Sequence, residues 1–219
     1  MLIWEREEFM NLLHFNLLRV YLLSLLAASG FCFVALAVQG NLLFALDERV
    51  ASFVQSWESP GLTRIMEIYS WVGSTLPVVV LSLTAIVLFY VLLGFRKELL
   101  LLLAAVGGST IVGYILKSLF GRERPDIHRL AEETGFSFPS SSSVVAVALY
   151  GVVTYLLWKR LRNGASQIAL AVAAVFLIGC IGLSRVYMGL HYPSDVIGGI
   201  LAGAAWLLLS IGVFRHINE

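Results

Sequence analysis

The sequence predicts an all-α membrane protein with six transmembrane helices and short interfacial helices between spans one and two. Three observations carry this reading. The 219 residues are 59% hydrophobic and only 13% charged, with a mean hydropathy of +0.87, which leaves too little polar surface for a soluble globule of this size. A helical crossing of a bilayer needs about 20 apolar residues, and six such runs can be counted. Between the first two of them the pattern changes from continuously apolar to amphipathic.

The first run is Val20 to Val38, ended by Gln39-Gly40-Asn41. It lacks a small-residue cleavage site, and Trp4, Glu5, Arg6, Glu7 and Glu8 precede it, so a retained span is expected rather than a signal peptide. In the extracytoplasmic stretch 42–73, Leu46, Val50, Phe53, Val54 and Trp57 recur at helical spacing among Asp47, Glu48, Arg49 and Glu58. That spacing predicts a helix lying in the interface. Pro60-Gly61 breaks it, a second amphipathic piece runs to about Trp71, and Trp57 and Trp71 fit the headgroup belt. Span two, Leu76 to Leu93, tolerates Pro77 in its first turn and ends at Gly94-Phe95-Arg96-Lys97. Span three, Leu99 to Leu119, carries Gly107, Gly108 and Gly113 for close helix contact and Lys117 in its last turn. A polar loop, Gly121 to Ser137, leads to span four, Val144 to Trp158, closed by Lys159, Arg160 and Arg162. Span five is Ile168 to Leu183 and span six Val196 to Phe214, with Gly199 and Gly203 as a small-xxx-small face before Arg215 and His216. Residues 1–219 are read as one integral membrane domain.

Six spans put both termini on one side, with Arg6, Arg19, Arg96, Lys97, Lys159, Arg160, Arg162 and Arg215. Of the cations on the other side, Lys117, Arg124 and Arg185 are better explained as site residues. The positive-inside rule then makes the termini cytoplasmic and both polar loops, Gly121 to Ser137 and Ser184 to Pro193, extracytoplasmic. A net charge of +1 without a basic tract outside the loops sets nucleic acid aside as a partner. Cys32 and Cys180 lie inside apolar runs and read as small buried hydrophobes, so neither a disulfide nor a metal site is expected.

Chemistry concentrates where the chain leaves the hydrocarbon. Ser184 to Asp195 places Arg185, His191 and Asp195 within one short stretch between two spans. Pro193 suits a helix's first turn, which puts Asp195 in that turn and His191 just before it. A carboxylate so placed can hold one ring nitrogen of His191 and leave the other free to attack or to bind a metal. Arg185 carries a planar charged fork suited to phosphate. On the same face, Lys117 and Arg124 flank the end of span three, and Ser140, Ser141, Ser142 and Ser143 follow Pro139 at the start of span four, a place for an anion at a positive helix end. The plainer alternative is snorkelling cations and capping serines.

Lys117-x6-Arg124-Pro125, Pro139-Ser140-Ser141-Ser142 and Ser184-Arg185-x5-His191-x3-Asp195 (within 117–125, 139–142 and 184–195) together resemble the three signatures of the type 2 phosphatidic acid phosphatase superfamily. The resemblance covers spans three to six directly, and the six-span layout extends it over nearly the whole chain. It implies a metal-independent lipid phosphatase of a bacterial inner membrane, working without a cofactor through a phosphohistidine. His191 would be the nucleophile and Asp195 its orienting partner, with Lys117, Arg124, Ser140, Ser141 and Arg185 on the phosphoryl group. The implied substrate is a phosphomonoester or diphosphate lipid such as phosphatidylglycerophosphate, phosphatidic acid or undecaprenyl diphosphate. The vanadium haloperoxidases share these signatures but are soluble, and six spans speak against them.

One position departs from the pattern. The family's second signature ends in a histidine that protonates the leaving oxygen, and Ser142 stands there, a far weaker acid. Impaired turnover is therefore expected, with a lapsed phosphatase that only binds lipid phosphates as the alternative. His14 and His216 fall on the cytoplasmic side, and His128 reaches the site only if the outer loop folds back on it. A transporter is disfavoured, because the spans carry no charges away from the loop face and no evident repeat of a broken helix.

Overall fold

The computed structural model describes residues 3–126 and 128–218, with side chains from residue 17 onward. Arg6, counted above toward the topology, and His14 lie outside the described side chains. Eight helices follow in order: α1 (Ile3–Gln39), α2 (Phe44–Gln55), α3 (Pro60–Val72), α4 (Thr75–Leu93), α5 (Lys97–Phe120), α6 (Ser141–Trp158), α7 (Gly164–Tyr187) and α8 (Pro193–Asn218). Six of them, α1 from Leu17 onward and α4 to α8, are long and apolar enough to cross a membrane. The chain is an all-helical, multi-pass membrane protein, and α2 and α3 are the short helices expected between the first two spans.

The sequence sets these boundaries by local chemistry. Pro60 and Pro193 open α3 and α8, and Pro77 sits in the first turn of α4, positions that need no intrahelical N–H. Gly94 and Gly121 end α4 and α5 in the left-handed region, at φ of 66° and 60°, where a Cβ would be strained. Inside the bilayer each backbone group must find its partner within its own helix, so these apolar runs become uninterrupted helices.

In lipid, apolar side chains gain little by meeting each other, so close packing depends on small residues. The most buried spans are α6 and α8, and they touch through Gly199 and Gly203. A Cβ on Gly199 would lie 2.6 Å from the Ser140 carbonyl oxygen, and one on Gly203 2.6 Å from that of Val144. Around this pair, α1 lies along α8, where the Ser24 hydroxyl donates to the Ala205 carbonyl at 2.8 Å. The Trp206 indole N–H donates to the Ala104 carbonyl at 3.1 Å and its ring covers Gly108, joining α8 to α5. Gly107, also read as a contact glycine, faces open space. The α3 helix rests on the end of α7 through Thr63 and Tyr187, whose side-chain oxygens are 2.7 Å apart. Large apolar residues such as Leu26, Phe33, Val91 and Ile111 point outward.

Span five differs from its hydropathy boundary. The α7 helix continues past Leu183 to Tyr187, so the break before α8 is 188–192 and Arg185 belongs to the last helical turn. The helix does not end where hydropathy falls, because the polar groups there are satisfied inside the protein. The Ser184 hydroxyl returns to the Ile181 carbonyl at 2.7 Å, and Arg185 Nη1 donates to Ser70 Oγ on α3 at 2.8 Å.

The α6–α8 contact sets up a paired test. Gly203→Ala should lose about 1–3 kcal/mol through overpacking against backbone, whereas Gly107→Ala should gain up to about 1 kcal/mol in helix propensity. Thermal unfolding of both variants in one detergent measures this, and equal shifts would contradict the packing described.

Candidate active site

The ends of six helices and one loop meet on a single face: the C-terminal ends of α3, α5 and α7, the N-terminal ends of α2, α6 and α8, and residues 121–140 between α5 and α6. Gly121 turns the chain out of α5, with its N–H donating to the Lys117 carbonyl at 3.0 Å. The loop returns by donating Ser137 N–H to the Arg122 carbonyl at 2.7 Å and Ser140 N–H to the Asp195 carbonyl at 2.9 Å.

His191 is 1% exposed and Asp195 fully buried. The ring and the carboxylate are not in direct hydrogen-bond contact, since Nδ1 lies 3.6 Å from Asp195 Oδ2 and 3.3 Å from Ser137 Oγ. The Ser137 hydroxyl in turn donates to Asp195 Oδ2. The connection is therefore a relay, with Nδ1–H donating to Ser137 and Ser137 to Asp195. On the other edge of the ring, Arg124 Nη1 approaches Nε2 at 3.4 Å. A guanidinium can only donate, so Nε2 carries the lone pair and Nδ1 the hydrogen. Burial pushes the imidazole down from 6.5 to about 4; Asp195 opposes this and the Arg185 and Lys117 charges add to it. At neutral pH the ring is an uncharged base with its free nitrogen facing cations.

Asp195 is held by more than the histidine relay. Oδ2 accepts from the Tyr192 N–H at 2.8 Å, and Oδ1 accepts from Arg122 Nη1 at 2.7 Å. Arg122 reaches Asp47 of α2 with Nη2 at 2.8 Å and lies over the Tyr192 ring, 4.3 Å from its centroid. Asp47 accepts from the Ser194 N–H at 2.9 Å and from its hydroxyl at 2.5 Å. Burial works against the Arg122 charge, but Asp195 and Asp47 outweigh it and hold the guanidinium above its ordinary pKa. Removing one partner from such a buried set typically costs about 3–5 kcal/mol.

Three cations read from the sequence lie near the ring, Arg124 at Nε2 and Arg185 and Lys117 close enough for their charges to act on it. Arg124 and Arg185 side chains are 5% and 6% exposed. Arg124 donates to the carbonyls of Leu190 at 2.8 Å and Gly135 at 2.9 Å, and burial draws its pKa below the ordinary value, Asp195 opposing and Arg129 adding. Lys117 Nζ donates to the Phe136 carbonyl at 2.8 Å. Glu133 ties the two guanidiniums together: Oε1 lies 3.2 Å from Arg124 Nη2, and Oε2 accepts from Arg185 Nη2. Arg185 Nε is buried without a partner among the described residues, a donor left over for a ligand.

The serines divide between roles. Ser140 caps α6, its hydroxyl oxygen accepting from the Ser143 N–H at 3.4 Å and the Ser143 hydroxyl at 3.1 Å. Its own amide is spent on Asp195, so the remaining first-turn amides come from Ser141 and Ser142. Ser141 faces α5, 3.7 Å from where a Cβ on Gly113 would be, and Ser142 faces the end of α3 near Gly73. His128 turns away from the site, pairing with Glu58 at 2.8 Å on a 59% exposed side chain. Arg122, Ser137, Asp47 and Glu133 escaped the sequence reading because each acts through a partner distant in the chain; Arg122, two residues before Arg124, was the most accessible of them.

The sequence profile of the PAP2 superfamily matches residues 98–218. The chain is 31% identical over 196 residues to phosphatidylglycerophosphatase B of Bacillus subtilis, covering 86% of this chain and 93% of that protein. It is 33% identical over 135 residues to the putative undecaprenyl-diphosphatase YbjG of Escherichia coli, covering 58% of this chain and 62% of that one. Its fold resembles the crystal structure of a transmembrane PAP2-type phosphatidylglycerolphosphate phosphatase from Bacillus subtilis, with a TM-score of 0.78, 28% identity and coverage of 89% of this chain and 97% of the other. Aquifex aeolicus LpxE shares the fold at a TM-score of 0.62 and 22% identity, over 76% of this chain and 94% of that one.

The His191 environment has a pH consequence. The unfolded chain takes up this proton near 6.5 and the folded chain near 4, so stability falls as pH drops through that window while the folded ring stays neutral until its lower end. NMR of ¹⁵N-histidine-labelled protein should show His191 protonated only at Nδ1 down to about pH 4. Titration at the ordinary imidazole pH would contradict the described burial.

Proposed function

The chain belongs to the PAP2 superfamily and its similar relatives are named as lipid phosphatases, and on that footing we propose that it hydrolyses a phosphomonoester or diphosphate lipid through a phosphohistidine at His191. The observation that carries this is the lone pair of a neutral, buried Nε2 opening onto Arg124, with Arg185 and Lys117 beside it. The phosphoryl oxygens take the two guanidiniums and the ammonium, and the unpartnered Arg185 Nε supplies a further donor. Nε2 attacks phosphorus and the bond to the leaving oxygen breaks. The positive charge that develops on the ring is stabilised through Ser137 by Asp195. Water then attacks the phosphohistidine, releasing phosphate and restoring the imidazole. Ser140 positions the α6 end by capping it, while Ser141 and Ser142 present amides there.

The substrates implied by the relatives' names, phosphatidylglycerophosphate and undecaprenyl diphosphate, share a terminal phosphate and an apolar tail. Both suit a site at the membrane surface. We place the protein in a bacterial inner membrane with cytoplasmic termini and an extracytoplasmic site, supported by the cluster of cations on the terminal side. Residues 1–219 act as one phosphatase unit in this reading, since α2, α3, α5, α6, α7 and α8 all contribute to the site. Ser142 at the family's acid position favours a second reading, a lapsed phosphatase that binds lipid phosphates without turning them over.

Phosphate release from phosphatidylglycerophosphate, phosphatidic acid, diacylglycerol diphosphate and undecaprenyl diphosphate separates the two. The enzyme reading expects release from at least one of them, reduced roughly 10²-fold by Arg185→Lys, because a point charge cannot reproduce a two-pronged donor. No release from any lipid, with the tetrahedral dianion tungstate still bound, leaves the lapsed reading; loss of both removes the phosphate site altogether.

A further inference from the structure

Expelling a lipid alkoxide from phosphorus needs a proton, and positioned acids typically contribute 10²- to 10⁴-fold to such a step. The ionisable side chains around the cradle narrow the source. Asp195 is fully buried and committed to Arg122, Ser137 and the Tyr192 N–H. His191 presents its lone pair and holds its only hydrogen on the far nitrogen, toward Ser137. Lys117 and the two arginines are the phosphate ligands of the proposed function. His128 is paired with Glu58 at the surface. Glu133 remains.

Its position is unusual in three respects. Its carboxylate spans Arg124 and Arg185, so it occupies the place where a phosphate would take the same two guanidiniums. Arg124 ties that place to the nucleophile, with Nη1 directed at His191 Nε2 and Nη2 at Glu133. Glu133 is also 35% exposed, unlike the arginines it binds, so it can withdraw toward solvent without leaving the rim of the site. The loop supports it there, since the next three carbonyls, of Thr134, Gly135 and Phe136, all accept from Arg124 or Lys117.

We infer that Glu133 is a catalytic residue, the general acid and then general base of the reaction, standing in where Ser142 cannot act. This rests on the proposed phosphatase function. Without phosphate, Glu133 is the counterion of Arg124 and Arg185. An entering phosphate takes both arginines from it and brings like charge against it, and two anionic groups sharing a site hold a proton between them. The Glu133 carboxyl then gives that proton to the lipid oxygen as the P–O bond breaks and the N–P bond forms. The resulting carboxylate takes a proton from water as its oxygen attacks phosphorus, the N–P bond breaks, and phosphate leaves. Glu133 ends protonated; phosphate departure returns it to the arginines and releases that proton to solvent.

The test uses the full chain in dodecyl maltoside, with two substrates that share a diacylglycerol body but differ in leaving oxygen. Phosphatidic acid must expel an alkoxide, whereas diacylglycerol diphosphate expels a weakly basic phosphate oxygen. Glu133→Gln should reduce kcat on phosphatidic acid about 10²-fold more than on the diphosphate. The same variant should bind tungstate more tightly than the wild type, because the negative charge that competes with an anion for the two guanidiniums is gone. Equal losses on both substrates, no loss on either, or weakened tungstate binding would overturn the assignment and make Glu133 a structural counterion. Wild-type protein that binds tungstate but hydrolyses neither lipid would also overturn it, while leaving the phosphate site in place. Wild-type protein that neither binds tungstate nor hydrolyses lipid would instead remove the proposed function beneath it.

Discussion

The site depends on one constraint: a fully buried carboxylate, Asp195, has to be neutralised where no water reaches it. An isolated buried carboxylate would take up a proton rather than stay charged. Arg122 supplies the charge, and its second arm reaches Asp47, so the network extends from the loop after α5 to the interfacial helix α2. Asp47 then holds the Ser194 N–H and hydroxyl in the first turn of α8. Two distant segments, α2 and the loop after α5, are thus locked to the turn that follows His191. The rest follows from this arrangement: Ser137 is free to bridge carboxylate and ring, and the ring keeps Nε2 toward the cations.

The cradle shows the opposite electrostatic design. Asp195 is saturated with donors, while the cations beside His191 are only partly satisfied, by loop carbonyls and the Glu133 carboxylate, and Arg185 Nε has no partner among the described residues. The saturated side fixes geometry, and the unsaturated side leaves room for exchange. In the proposed function, the entering phosphate replaces acceptors in the second region and leaves the first as it is. The close approach of α6 and α8 through Gly199 and Gly203 supports both, because the Ser140 amide that meets the Asp195 carbonyl sits at that contact.

Much of this was legible in the sequence, for reasons that differ between fold and site. The spans were readable because a bilayer forces each apolar run into a helix, and Pro193 placed Asp195 in a first turn, as observed. The end of span five was not readable, since Ser184 and Arg185 look like the start of a loop until Ile181, Ser70 and Glu133 are known to receive them. His191, Asp195, Arg124, Arg185 and Lys117 announce themselves by residue type and spacing, and the fold brings them together. Asp47, Arg122, Ser137 and Glu133 do not. An aspartate in an amphipathic helix and a glutamate in a polar loop look solvated, and only long-range pairing makes them part of the site. Ser140 shows a third case, in which the residue was noticed and the fold employs its hydroxyl as a helix cap.

In the proposed function, Nε2 of His191 takes the phosphoryl group. Rapid quenching of the protein with lipid substrate labelled in its terminal phosphate, followed by peptide mapping, tests this most directly. The expected label is stable in base and labile in acid, carried by the peptide containing His191 and abolished by His191→Ala. A label on any other residue, one that persists in His191→Ala, or phosphate release with no labelled protein under single-turnover conditions would contradict it.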